Sequence, residues 1–424
     1  MLYVTGDPMR PFLGWLLGCT LMAQPAQVLR IGHLLDVKAG RWMQDQALRL
    51  EGGRIIALGP WQPADPAPDV DLRTSWVIPG LMDAHTHLFL QGNADAAAYE
   101  AQILKESVPT RTLRAAVAAR AALRQGFTTL RDLGTEGAGH ADTDLKRAIA
   151  SGLVPGPRLQ VADLAFSATG AYPVLSPAWE LQLPVGVQSV DGVDAIRKGV
   201  REQVRFGADW IKVYIDRGQR LGTDGRLHST LNFTPEELAA FISEARRQGK
   251  RTAAHAHGWE GIDAALTAGF DSLEHGSGFD EGLLKRAAAQ GTVWCPTLAA
   301  MEFVAPTRGG VYTKELPERL HRAFALGVKL GVRIVNGSDA GAFPWDRPLT
   351  RELELMAAHG MTNLQALQAA TIRAAEALGL ASELGALEPG RRADFVVLTA
   401  DPLADLQALR RVQRVYKDGL PQPE

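Results

Sequence analysis

Between residues 77 and 380, short apolar runs alternate with Ala-rich stretches of helical periodicity, and no other feature of this chain limits its fold as strongly. Eight strand-like runs can be read, at Trp76-Leu81, Thr128-Leu133, Arg158-Leu164, Trp210-Ile215, Thr252-His257, Ser272-His275, Thr292-Leu298 and Val332-Asn336. Helical stretches such as Leu113-Gln125, Pro235-Gln248 and Asn363-Leu378 fall between or after them. Such alternation marks βα units with parallel strands. Eight repeats over this length predict an α/β fold, a (β/α)8 TIM barrel, rather than a doubly wound sheet. No Gly-x-Gly-x-x-Gly or Walker-type loop follows any run, so nothing supports a dinucleotide or nucleotide triphosphate site.

The flanks read differently. Residues 28–76 hold short β pieces, with Glu51-Gly52-Gly53-Arg54 as a hairpin turn and the Pro-rich stretch Pro60 to Pro68 as a loop. Residues 381–424 return to the same style in Ala393-Leu398 and Val412-Tyr416. The two ends are expected to pair as one small β-sandwich domain beside a barrel over 77–380. The stretch from Ser167 to Ser189, Pro-rich and aromatic, reads as a lid over the barrel mouth. Residues 1–23 carry Arg10 ahead of the apolar run Phe12 to Ala23, the shape of a secretory signal too short to span a bilayer, and Met9 could be the true start. The expected location is therefore periplasmic or secreted. Leu16-Leu17-Gly18-Cys19 also resembles a bacterial lipoprotein box; without a signal the location would be cytoplasmic. A composition with 46% apolar and 22% charged residues excludes disorder. Lys plus Arg at 45 against Asp plus Glu at 47 gives −2, so no global field favours nucleic acid or an anionic membrane. The two cysteines, Cys19 and Cys295, cannot build a disulfide framework, and Cys295 is expected to be barrel packing.

Polar side chains gather at the C-terminal ends of the runs, the rim on which barrel enzymes carry their active sites. His85 and His87 are two apart, which puts both imidazoles on one face of an extended chain. His255 and His257 repeat the spacing, His275 ends the next run and Asp339 closes the eighth. Lys212 sits in Asp209-Trp210-Ile211-Lys212-Val213-Tyr214-Ile215, opposite Ile211, Val213 and Ile215. A buried ammonium there is costly unless paired, and it would repel a metal. The alternatives are a side chain that snorkels outward, a pairing with a carboxylate such as Asp216, or conversion of Lys212 to an anion. Five of the ten histidines at three strand ends, with a Lys and an Asp at two more, fit a metal site better than chance.

Pro79-Gly80-Leu81-Met82-Asp83-Ala84-His85-Thr86-His87, Lys212, His255-Ala256-His257-Gly258, Glu274-His275-Gly276 and Gly337-Ser338-Asp339-Ala340-Gly341 resemble the amidohydrolase superfamily, in its imidazolonepropionase-like and prolidase-like branch. Leu387-Glu388-Pro389-Gly390-Arg391-Arg392-Ala393-Asp394 resembles the return into that family's β-sandwich, so the likeness spans nearly the whole chain after residue 23. The resemblance implies two divalent metal ions. His85 and His87 would bind one with Asp339, His255 and His275 the other, and Lys212, as N6-carboxylysine, would bridge them. Neutral imidazoles and oxygen anions suit Zn2+. A water held between two cations is the expected nucleophile at neutral pH, and Asp339 is placed to move its proton to the leaving amine. His257 is expected in the substrate pocket, with a structural role as the alternative.

Relatives with this ligand set hydrolyse C–N bonds in dipeptides and N-acyl amino acids, and some cleave ochratoxin-type aryl amides. The expected reaction is thus hydrolysis of an amide next to a C-terminal amino acid in a small-molecule or peptide substrate. Its free carboxylate needs a cationic or hydroxyl partner, for which Tyr214, Arg217 and Arg220 are candidates. Many dipeptidases of the branch carry a Thr-Gly-Gly-His-Gly-Asp-like loop after the third strand, whereas this chain has Thr169-Gly170-Ala171-Tyr172-Pro173-Val174. That departure favours a more apolar acyl group, with Tyr172, Trp179, Phe343 and Trp345 as candidate pocket walls. The alternatives are a cyclic amide or imide hydrolase and a non-catalytic scaffold of the same fold. A homo-oligomer without nucleic-acid partners or a transmembrane span is expected.

Overall fold

The computed structural model describes residues 26–92, 96–172, 178, 180–312 and 314–423. The expected export segment, residues 1–23, and Trp179 lie outside the described residues. A seven-stranded sheet gathers both ends of the chain in the order Leu420–Pro421, Val412–Lys417, Phe395–Leu398, Val70–Pro79, Gln27–Asp36, Arg41–Glu51 and Arg54–Pro60. Gly52-Gly53 makes the turn between the last two strands, as its sequence predicts. Alternate residues of these strands, among them Leu29, Ile31, Leu48, Val77, Phe395 and Val397, fill one buried cluster, and Phe395 stacks on Tyr416 at 4.3 Å.

One boundary differs from the sequence reading. The run Trp76-Leu81 is not the first barrel strand: Val70–Pro79 belongs to the terminal sheet, parallel to Gln27–Asp36 and antiparallel to Phe395–Leu398. The chain crosses from sheet to barrel at Gly80, where a Cβ would come 2.2 Å from Thr128 Oγ1, so only glycine passes. The apolar alternation continues through this crossing, which is why the sequence merges two strands into one.

The barrel strands are Leu81–Thr86, Phe127–Asp132, Arg158–Val161, Trp210–Tyr214, Arg251–Ala256, Ser272–His275, Val293–Cys295 and Arg333–Ile334, with every neighbouring pair parallel where paired. First and eighth strands meet through Ala84 N donating to Asn336 O at 2.9 Å and Asp339 N to His85 O at 2.7 Å. Arg131, Ala253, Cys295 and neighbouring side chains are buried within, so the barrel is packed rather than open. Helix Pro235–Arg247 starts with a capping box of Thr234 and Glu237, the signal its sequence carries. The expected single helix Asn363-Leu378 is two, Asn363–Ala369 and Ile372–Leu378. The break has a hydrogen-bonding cause: Ala369 O and Ala370 O accept from Asn336 N at 3.0 Å and Met82 N at 2.7 Å. A continuous helix would leave these strand N–H groups unpaired. In the expected lid, Phe166–Ser167 pairs with the fourth barrel strand and with Gln188–Ser189, while residues 173–177 lie outside the described set. Among the described residues, no helix is long and apolar enough to cross a membrane.

Candidate metal centre

Parallel strands bring their C-terminal ends to one rim, and the rim collects side chains that are up to 254 residues apart (Asp339 minus His85). His85 lies on the first strand and His87 just past it, and their nitrogens stand 3.6 and 3.5 Å from Asp339 Oδ1. Ligating atoms of His255, His257 and His275 lie within 4.8 Å of one another, as do those of His85, His275 and Asp339. The ring centroids of His85 and His275 are 5.0 Å apart and those of His255 and His275 4.5 Å, so the two groups share a wall. Lys212, 1% exposed, occupies the middle of the fourth strand, with Nζ 5.7 Å from the Tyr214 ring. Asp216, weighed above as its carboxylate partner, instead accepts from the backbone N–H groups of His257 at 3.0 Å and Gly258 at 2.7 Å.

Four of the five imidazoles are turned by a fixed partner. His85 Nδ1 meets Glu274 Oε2 at 2.8 Å, His87 Nδ1 donates to Gly134 O at 2.9 Å, His275 Nδ1 meets Thr297 Oγ1 at 2.8 Å, and His257 Nδ1 meets Ser277 Oγ at 3.1 Å. Holding Nδ1 this way sets the tautomer and leaves Nε2 for a cation. Glu274 is itself fastened: Arg131 Nη2 donates to its Oε1 at 2.8 Å and Ser272 Oγ at 2.5 Å. Arg131 also reaches Ala84 O and stacks on Trp210 at 4.3 Å, tying four strands at the level of the histidines. His275 and Asp339 take φ of +72° and +59°, a left-handed conformation that is strained for such side chains and often found at functional sites. Gly337 permits the close packing beneath: a Cβ there would meet Cys295 Sγ at 2.1 Å. Cys295 is fully buried in the barrel interior.

The electrostatics favour a cation. Burial, reinforced by Lys212, holds the His85 imidazole well below its usual range, and burial with neighbouring histidines does the same to His275, so both rings stay neutral lone-pair donors. Burial also lowers Lys212, favouring its neutral amine. Burial alone would raise Glu274, but Arg131 and His85 outweigh it and hold the carboxylate below its ordinary value. His85 Nε2 is buried with no hydrogen-bond partner. A buried orphan nitrogen among carboxylate and imidazole donors fits a divalent ion of the Zn2+ type.

The residues expected to meet substrate are divided. Tyr214 and Tyr172 border the centre, their rings 5.0 Å apart and Tyr214 4.7 Å from His255. The Tyr214 hydroxyl, expected as a donor for a carboxylate, already donates to Glu136 at 3.0 Å. Arg217 and Arg220 sit exposed on the hairpin of Asp216–Leu221 and Leu227–Leu231, where Arg217 donates to Asn232 at 2.5 Å. Trp345 is buried and donates to Leu90 O at 3.0 Å, a packing role. Phe343 lines a groove of about 500 Å³ with Phe303 and Arg347, whose guanidinium lies 4.5 Å over the Phe303 ring. Sequence reasoning missed Arg131, Glu136 and Glu274. A charged residue inside the apolar strand Phe127–Asp132 is the signal that could have found Arg131.

The amidohydrolase family model matches residues 76–420. An ochratoxinase of Aspergillus niger is 31% identical over 374 residues, covering 82% of this chain and 75% of that protein. The crystal structure of a Xaa-Pro dipeptidase with methionine bound in its active site superposes with a TM-score of 0.84 at 30% identity, covering 94% of this chain and all of that one. The crystal structure of the A. niger ochratoxinase gives 0.80 at 27%, covering 94% of this chain and 95% of that one.

Proposed function

Because the chain belongs to the amidohydrolase family and is thus a hydrolase of amide bonds, we propose that it cleaves the amide next to a C-terminal amino acid. The substrates would be N-acyl amino acids or dipeptides, including ochratoxin-type aryl amides. Likeness to an ochratoxinase and to a Xaa-Pro dipeptidase supports this class. The observation that carries the reading is the orphaned His85 Nε2, buried 3.6 Å from Asp339 Oδ1 at the meeting point of the strand ends.

His85, His87 and Asp339 would hold one divalent ion, and His255 and His275 a second. Lys212 would span the two after its neutral amine adds to CO2, forming an N–C bond and releasing a proton. A bound ion pair would supply an acidified water and an electrophile for the carbonyl oxygen. The protein's own part is then positional. Glu274 and Thr297 keep His85 and His275 in register, and the buried walls exclude bulk water. Asp339 takes the proton from the attacking water and returns it to the departing amine nitrogen. His257, stacked on His275 at 4.7 Å, would serve as a substrate contact.

Asp339→Asn keeps size and most hydrogen bonding but cannot accept that proton. Assayed on N-acyl amino acids and dipeptides varied at both ends, with an ochratoxin-like aryl amide included, it should fold normally and lose about 10³-fold or more in kcat. Wild-type turnover in this variant would remove Asp339 from proton transfer. A wild-type protein that loads metal yet cleaves no member of the panel would overturn the substrate class.

A further inference from the structure

Beside the metal centre, three tyrosines from three separate segments converge on one carboxylate. Glu136, in the loop after the second barrel strand, is 2% exposed and adopts φ +51°. Its Oε2 accepts from Tyr99 at 2.7 Å and from Tyr172, and its Oε1 accepts from Tyr214 at 3.0 Å. Tyr99 and Tyr172 are also within 2.7 Å of each other. The buried Arg111 does not neutralise the carboxylate by pairing: its Nη2 donates to the backbone carbonyls of Thr135 and Glu136, each at 2.8 Å. Burial and Glu136 together push Tyr172 and Tyr214 well above the ordinary phenol range, so both stay protonated donors.

A phenol has one proton to give. With those protons turned to Glu136, the hydroxyls of Tyr172 and Tyr214 offer an approaching group only lone pairs, backed by a buried negative charge. A carboxylate placed there would meet acceptors alone, while an N–H or O–H donor would find matched partners. The corner also adjoins the candidate metal centre. Glu136 Oε1 is 3.7 Å from His87 Nδ1, and the Tyr214 ring is 4.7 Å from His255, so it borders both candidate ligand groups. Asp339, which serves the leaving nitrogen, comes from the eighth strand, whereas this corner is built at the second and fourth.

We propose that Glu136, acting through Tyr172 and Tyr214, selects substrates whose acyl part carries a hydrogen-bond donor near the scissile carbonyl, an ammonium or a hydroxyl, and turns a carboxylate away. The inference rests on the amide-hydrolase reading above. It assigns the free carboxylate of the substrate to the opposite, leaving-group side.

The test uses matched pairs with the metal-loaded full chain. L-phenylalanyl-L-phenylalanine is compared with 3-phenylpropanoyl-L-phenylalanine, and 2-hydroxybenzoyl-L-phenylalanine with benzoyl-L-phenylalanine, so that ammonium and phenol donors are read separately. Binding of the acyl products 2-hydroxybenzoate and benzoate, which differ from the leaving amino acid, is measured in parallel by calorimetry. The donor-bearing member of at least one pair should be favoured at least about tenfold in kcat/KM, with a matching affinity ratio for the products. Glu136→Gln and, should that variant fold poorly, Tyr214→Phe should bring the ratios below about threefold. A merely structural role would weaken both members of a pair alike. Equal handling of both pairs by wild type, or ratios unchanged in the variants, overturns the proposal while leaving amide hydrolysis standing. If no amide is cleaved but the product affinities differ and respond to Glu136→Gln, the corner stands and the hydrolytic reading falls.

Discussion

Lys212→Ala should lower bound metal from two ions per chain to one or fewer, and kcat/KM by about 10³-fold or more. The reason is physical rather than positional alone. Lys212 is 1% exposed in the middle of a strand whose other face, Ile211 and Val213, is fully buried. As an ammonium it would repel any cation the histidines bind; as a carboxylated anion, the form proposed above, it would join the two ligand groups whose His85 and His275 ring centroids are 5.0 Å apart. Added formate or propionate should restore part of the activity in Lys212→Ala by entering the space of the missing anion, and should do nothing for wild type. Unchanged metal content in the variant would show that Lys212 is a plain buried amine.

The second large effect is expected at Arg131→Met. Arg131 and Glu274 are both buried and paired at 2.8 Å, and the same carboxylate turns His85 through its other oxygen. Removing the guanidinium leaves a buried anion short of its partner, which costs roughly 3–5 kcal/mol. Losing the hold on a ligand's orienting carboxylate lowers metal affinity by about 10–100-fold. The sign of the pH dependence follows. Glu274 is held below its ordinary 4.5 in the folded chain, so its contribution to stability is present above that value and is lost as pH falls through the folded value. In Arg131→Met this carboxyl titrates at higher pH, and acid unfolding should begin earlier. Urea unfolding at neutral and acid pH, with metal titration of the same samples, measures both effects. A loss under about 1 kcal/mol with wild-type metal affinity would mean that the pair is incidental.

Much of the site is legible in the sequence because strand ends in a barrel share one rim. His85, His87, His255, His275 and Asp339 each close a run whose apolar period is plain in the sequence, and Lys212 breaks the apolar face of another. The misreadings occur where pattern carries no positional information. Val70–Pro79 and Leu81–Thr86 read as one run because a single glycine separates two strands in different sheets. Asn363–Ala369 and Ile372–Leu378 read as one helix because the break is imposed by N–H groups of Met82 and Asn336, distant in the chain. Glu136 stands in a loop with no period, and its three tyrosine partners lie 36, 37 and 78 residues away. Arg217 and Arg220 lie close to Lys212 in sequence and carry the right charge, but the hairpin takes them out to solvent. Contacts of that kind are decided by loops, where neighbours along the chain need not be neighbours in space.

The most direct measurement is stoichiometric restoration of activity. Chelated, metal-free protein is titrated with Zn2+ in bicarbonate buffer while bound metal and amide hydrolysis are followed together. The account predicts no turnover without metal, a rise that ends at two ions per chain, and no second equivalent in Lys212→Ala. Full activity in metal-free protein, or saturation with both ligand groups dispensable, would contradict it.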